Sequence, residues 1–140
     1  MTVIFQGDCL AGLRLIPDKT VHTCVTSPPY FGLRDYGHAE QIGLEPTPDE
    51  FVATLVDVFR EVRRVLRDDG TLWLNLGDSY SNVGKWGGST SGKHAKALHG
   101  SQQSSARTRD DSKGVEASGL KPKDLIGIPW RVAFALQADG

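Results

Sequence analysis

Apolar and polar positions divide the chain into short alternating elements. Thr2-Val3-Ile4-Phe5-Gln6 is β-branched and aromatic and is closed by Gly7-Asp8, which predicts a strand and a turn. Leu10, Leu13 and Ile16 recur at helical spacing up to Pro17-Asp18, predicting a short helix. Val21 to Thr26 is a second apolar stretch, stopped by Pro28-Pro29, because proline has no N–H for a ladder. Thr47-Pro48-Asp49-Glu50 is a capping box with proline in the first turn. Phe51, Leu55, Val58, Val62, Val65 and Leu66 then form one apolar stripe. Acids lie early in this helix and Arg60, Arg63, Arg64 and Arg67 late, the order its dipole favours. Asp69-Gly70 is expected to stop it, and Thr71 to Leu76 reads as a third strand ended by Gly77-Asp78. Leu125, Ile128, Val132, Phe134, Ala135 and Leu136 predict a last amphipathic helix, kinked or started by Pro129 and terminated at Asp139-Gly140.

Strand, helix, strand, helix, strand, loop, helix is an α/β order with a parallel sheet. Ligands of such sheets bind at the carboxyl ends of the strands. Gly7-Asp8, Ser27-Pro28-Pro29-Tyr30 and Gly77-Asp78 each follow a predicted strand, so the unusual polar loops are expected on one rim.

Composition changes this picture in one region. Residues 81–119 are rich in Gly, Ser, Lys and Gln, and read as a basic, flexible insertion between a motif-bearing part, 1–80, and a returning helix, 120–140. Residues 81–123 hold eight Lys or Arg against three acids, although the whole chain is at −1. Such a segment on an acidic body suits a polyanion; Lys85, Lys93, Lys96, Arg107 and Arg109 are the candidate contacts to DNA phosphates. A solvated charged loop is the plainer alternative. No apolar run is long enough to span a membrane, and the N-terminus lacks the pattern of a secretory signal. Two cysteines, Cys9 and Cys24, outside any CxxC read as reduced, small core residues of a cytoplasmic protein. The four histidines have no metal spacing, so no metal site is expected. Trp73 reads as core, Trp86 as a base-stacking or locally packed ring, and Arg34-Asp35 as a loop salt bridge or a phosphate contact, with the salt bridge favoured.

Thr26-Ser27-Pro28-Pro29-Tyr30 is the most informative stretch. Two prolines hold a loop open at the end of a buried strand. The carbonyls of Ser27 and Pro28, the Ser27 hydroxyl and the Tyr30 face could receive a planar ring bearing an NH2 group. Methylation of an exocyclic amine needs such a holder. The lone pair of cytosine N4 or adenine N6 is delocalised, and accepting both N–H groups favours a nitrogen able to attack a sulfonium methyl. Positioning and fixed dipoles supply most of the acceleration. The base must leave the duplex to enter, and an aromatic face offsets part of the unstacking.

Gly7-Asp8-Cys9-Leu10, the Val21–Tyr30 segment, Asp69 through Tyr80 and Lys121 through Leu125 together resemble the amino-directed DNA methyltransferases, the N4-cytosine and N6-adenine enzymes. The resemblance covers nearly the whole chain outside 81–119. It implies a Rossmann-like, S-adenosylmethionine-dependent methyltransferase domain acting on double-stranded DNA. It also implies that Ser27, Pro28, Pro29 and Tyr30 form the catalytic loop, and that Asp8, Thr26 and Ser27 lie at the cofactor. Serine at position 27 resembles the cytosine-N4 branch more than the adenine-N6 branch.

The family's Phe-x-Gly-x-Gly cofactor loop is absent from the 140 residues. The strands present would be numbers 3, 4 and 5 of a 3-2-1-4-5 sheet, with 2 and 1 missing. Strand 3 would then lack a neighbour. The expectation is an incomplete domain that binds S-adenosylmethionine poorly alone, its other half supplied by a missing C-terminal part or a complementing chain. A non-catalytic DNA-binding remnant is the alternative. Two weaker motifs compete. Gly87 to His94 nearly matches a phosphate-binding loop but has His94 in place of the Mg²⁺-binding hydroxyl. Gly77-Asp78-Ser79 resembles a hydrolase nucleophile motif, but the base it would need, His94 or His99, sits in the insertion.

Overall fold

A computed structural model describes residues 2–81, 120–121 and 123–140. Its element order is α1 (Cys9–Arg14), β1 (Val21–Thr26), α2 (Pro48–Val65), β2 (Leu66–Leu74) and α3 (Ile128–Asp139).

The capping chemistry fixes α2. Thr47 is the N-cap, its hydroxyl accepting from the Glu50 N–H at 3.2 Å, with Pro48 opening the first turn. Of the predicted stripe Phe51, Leu55, Val62 and Val65 are buried and Val58 and Leu66 half-buried, while Phe59, outside that stripe, is buried in its place. The helix ends at Val65, not at Asp69-Gly70, and runs without a loop into β2. Leu66 already pairs with Val21, and an irregularity in β2 absorbs the following residues before Thr23 meets Thr71. β2 is therefore longer than the predicted Thr71–Leu76 strand at its start and shorter at its end.

β1 and β2 form a two-stranded parallel sheet with α2 as the connection, the βαβ unit that parallel pairing requires. Side chains alternate. Cys24, Leu72 and Leu74 turn toward the helical core. Val25 and Trp73, directly paired, lie on the opposite face and are 77% and 65% exposed. Trp73 is thus not core. Parallel sheets are ordinarily covered on both faces, and among the described residues nothing covers this one.

Thr2–Gln6 forms no strand, and Ile4 is 90% exposed. Its apolar sequence has no adjacent strand to pair with, so intrinsic preference alone does not produce a ladder. The first of the three expected strands, Thr2–Gln6, does not form.

The core comprises Phe31, Phe51, Leu55, Phe59, Val62, Ile126, Ile128 and Val132. Arg64 fastens α1 to α2: its guanidinium donates to the Leu13 and Ile16 carbonyls at 2.9 and 3.0 Å and also pairs with Asp18 and Glu61. Those carbonyls lie at the end of α1, where intrahelical donors run out. Arg131 joins α3 to α2 through Asp49 at 2.9 Å. Arg60 does the same through Asp139 at 2.6 Å. Pro129 sits in the first turn of α3, so it marks a start and not a kink. Leu125, expected in this helix, instead pairs with Tyr80 in an isolated antiparallel bridge, and Phe134 is exposed. Among the described residues no helix is long and apolar enough to cross a membrane.

Candidate active site

The loop after β1 and the loop after β2 meet at one end of the sheet. The ladder runs one step beyond β2, the Asn75 N–H donating to the Thr26 carbonyl at 2.9 Å. The chain then opens on both sides. Ser27 is exposed, and Pro28, Pro29 and Tyr30 are half-buried. The Ser27 and Pro28 carbonyls accept no hydrogen bond from any described residue. Two acceptors at a double-proline corner therefore remain available to outside N–H donors. The Tyr30 carbonyl differs, accepting from the Leu33 N–H at 3.3 Å.

Three neighbours set the position of Tyr30. Phe31, next in sequence, is buried and packs on Phe51 of α2 with ring centroids 5.5 Å apart at 49°, a tilted aromatic pair that anchors the loop. Behind the backbone lies Gly43 at φ +104°, where a Cβ would come within 3.0 Å of the Tyr30 oxygen; its carbonyl accepts from the Gly32 N–H at 2.7 Å. Beside the ring lies Gly77, where a Cβ would stand 2.7 and 2.9 Å from two ring carbons. The sequence pattern singled out Tyr30 and placed Gly77 in a turn on the same rim, but did not single out Phe31, Gly43 or the contact between Gly77 and the Tyr30 ring. Only the apolar character of Phe31 next to the motif could have marked it.

Asp78 is a structural cap. Its carboxylate accepts from the N–H groups of Ser79 at 2.8 Å, Gly127 at 2.9 Å and Ile128 at 3.0 Å. Gly127 is the N-cap position of α3, left-handed at φ +78° and without a side chain to do this work. Asp78 satisfies orphan donors from across the chain and adds negative charge at the positive helix end. Ser79 is likewise engaged, its hydroxyl donating to the Phe31 carbonyl at 3.0 Å. That bond ties the hydroxyl to the loop after β1.

Asp8 caps α1, one carboxylate oxygen accepting from the Ala11 N–H at 2.8 Å. Its other oxygen has no partner among the described residues. Thr26 closes β1 opposite Leu74. Cys9 is exposed, not core, at the first position of α1. Cys24 is half-buried, and burial pushes its thiol above the ordinary range. Arg34 and Asp35 form no ion pair; Asp35 accepts from the Gly37 N–H at 2.8 Å, which closes a local turn in its place. Lys85, Lys93, Lys96, Arg107, Arg109, Trp86 and the Gly87–His94 motif lie outside the described residues. Two surface hollows, of about 640 and 890 Å³, are lined mainly by α2 with α3 and by the end of α2 with β2; neither includes a residue of the Ser27–Tyr30 loop.

A parallel βαβ unit with a double-proline loop at its carboxyl rim defines a class that comparison with known proteins makes specific. A family model described as DNA methylase matches residues 21–126. The type II methyltransferase M.XycI of Xanthomonas campestris pv. cyanopsidis is 52% identical over 139 residues, covering 99% of this chain and 43% of that protein. M.Cfr9I of Citrobacter freundii is 51% identical, with 98% and 42% covered. M.SmaI of Serratia marcescens is 46% identical, with 98% and 43% covered. No solved structure matches. The chain belongs to the DNA methylase family. It spans less than half the length of these curated relatives.

Proposed function

We propose that the complete protein is an S-adenosylmethionine-dependent DNA methyltransferase of the type II modification kind, acting on an exocyclic amine, with cytosine N4 as the favoured target. The observation that carries this reading is the pair of unfilled carbonyls, Ser27 and Pro28, beside the half-buried ring of Tyr30. The family membership supports methyl transfer to DNA. Serine at position 27 supports cytosine over adenine.

In this reading the two carbonyls and the Ser27 hydroxyl accept the amine hydrogens of an extruded base, and the Tyr30 face stacks on its ring. Accepted hydrogen bonds localise the nitrogen lone pair and aim it, so positioning and fixed dipoles do most of the work. Asp8, Thr26 and Ser27 would hold S-adenosylmethionine, which would supply the electrophilic methyl and keep its sulfur as a neutral thioether. The amine proton would leave by way of the Ser27 hydroxyl, which can accept one proton while passing its own to water. Asp8 fits the polar edge of an adenosine, because one carboxylate oxygen remains unpartnered after the other caps α1. Thr26 and Ser27 complete that edge. A segment equivalent to the unmatched part of the relatives would supply the remaining strands and the rest of the cofactor site. Lys85, Lys93, Lys96, Arg107 and Arg109 would neutralise DNA phosphates.

The test is methyl transfer to duplex DNA by the complete protein, with product nucleosides separated by mass. N4-methylcytosine is expected, and Tyr30→Ala should lower turnover about 100-fold, the scale at which loss of positioning acts. N6-methyladenine as product would replace the cytosine assignment. Unchanged turnover in Tyr30→Ala would remove the loop from the chemistry.

A further inference from the structure

We infer that Gly77-Asp78-Ser79 is a positioning bracket for Tyr30, holding its ring in the stance that receives the base; this rests on the reading of Tyr30 given above. Three contacts converge. The Gly77 Cα lies so close to the Tyr30 ring that a Cβ would stand 2.7 Å from one ring carbon. Ser79 holds the next residue of the loop, its hydroxyl donating to the Phe31 carbonyl at 3.0 Å. Asp78 locks the bracket to the start of α3 through its bonds to Gly127 and Ile128. The Ile126 N–H returns a bond to the Ser79 carbonyl at 2.9 Å.

The requirement for glycine at position 77 is steric. Its φ does not fall in the left-handed region that Gly7, Gly32, Gly37, Gly43 and Gly127 occupy, so the backbone alone would tolerate alanine. What alanine meets is an aromatic ring on a rotatable side chain. The ring can swing aside, and swinging aside is the functional cost. Ring placement errors near 1 Å cost about 100-fold in rate when a reacting group depends on them.

The experiment uses the complete protein labelled with 3-fluorotyrosine, the Tyr30 fluorine signal being assigned by its loss in Tyr30→Phe. Gly77→Ala should move or broaden that signal and lower kcat at least tenfold, with KM for S-adenosylmethionine within threefold, on the scale of lost positioning. In a Tyr30→Ala background, Gly77→Ala should cost nothing further. Ser79→Ala removes the second tether without adding bulk; it should shift the same signal and lower kcat by a smaller factor, a readout that survives if Gly77→Ala misfolds. An unmoved Tyr30 signal in both variants overturns the inference. So does a Gly77→Ala loss that multiplies unchanged onto Tyr30→Ala, because the glycine would then act elsewhere. If Tyr30→Ala keeps full turnover, the catalytic reading fails while the fluorine signal still decides the bracket.

Discussion

Residues that look alike in the sequence part ways in the fold. Gly7-Asp8 and Gly77-Asp78 are identical dipeptides after predicted strands, yet Asp8 caps its own helix and Asp78 caps a helix some fifty residues on. The first role is local and was readable as a turn; the second needs a contact between distant segments, and no pattern near Asp78 announces it. Cys9 and Cys24 diverge in the same way. Local composition offers both as core residues, but only Cys24 faces the helices, and its burial disfavours the thiolate. Alkylation at pH 8 should therefore label Cys9 well before Cys24, with peptide mass mapping as the measurement. Equal rates would mean that the inner face of the sheet is open to reagent.

Among the elements, the start and the general apolar face of α2 were legible, because a capping box, a proline and an apolar stripe all agree, although Phe59 and not Val58 fills the middle of that face. Its end was not. Tertiary pairing of Leu66 with Val21 overrides the breaker at Asp69-Gly70, and nothing within the helix encodes that partner. The Ser27–Tyr30 loop was legible as a proline-stopped strand end, whereas its supports come from three other segments. The strength of the caps can be separated by melting. Thr47→Ala should cost about 1 kcal/mol, the usual value of one N-cap. Asp78→Ala should cost more, about 1–3 kcal/mol, since it strands buried or half-buried N–H groups of two segments. A smaller loss for Asp78→Ala than for Thr47→Ala would mean that water takes over the α3 cap without penalty.

At the scale of the whole molecule, the end of α3 is fastened to α2 by Arg60 and Asp139. The hydrogen bonds from Arg60, aided by its charge and that of Arg63, hold the Asp139 carboxyl below its usual range against a smaller opposing effect of desolvation. A depressed carboxyl pKa contributes stability above the unfolded value, about 3.9, and loses it as pH falls through the folded value. The melting temperature should thus drop on acidification below about pH 4, and Asp139→Asn should lower it at neutral pH while flattening the acid limb. Both sites are open to solvent, so the effect should be modest and should shrink in high salt. An acid limb unchanged in Asp139→Asn would assign it to other carboxylates. The α/β order with parallel pairing was readable from element order, although the first of the three expected strands is not formed. The exposure of Trp73 was not, because a strand's alternation says which residues share a face, not whether that face is covered.

The uncovered face of β1 and β2 bears on how long such a polypeptide survives in a cell. Val25 and Trp73 stand side by side on it, and each strand has one free row of backbone groups among the described residues. Bare rows of this kind invite pairing with stray chains, and exposed apolar surface draws holdases and proteases that set steady-state amounts. Abundance would then track assembly. Copies whose bare face is covered by a partner surface would persist, and copies left uncovered would be cleared.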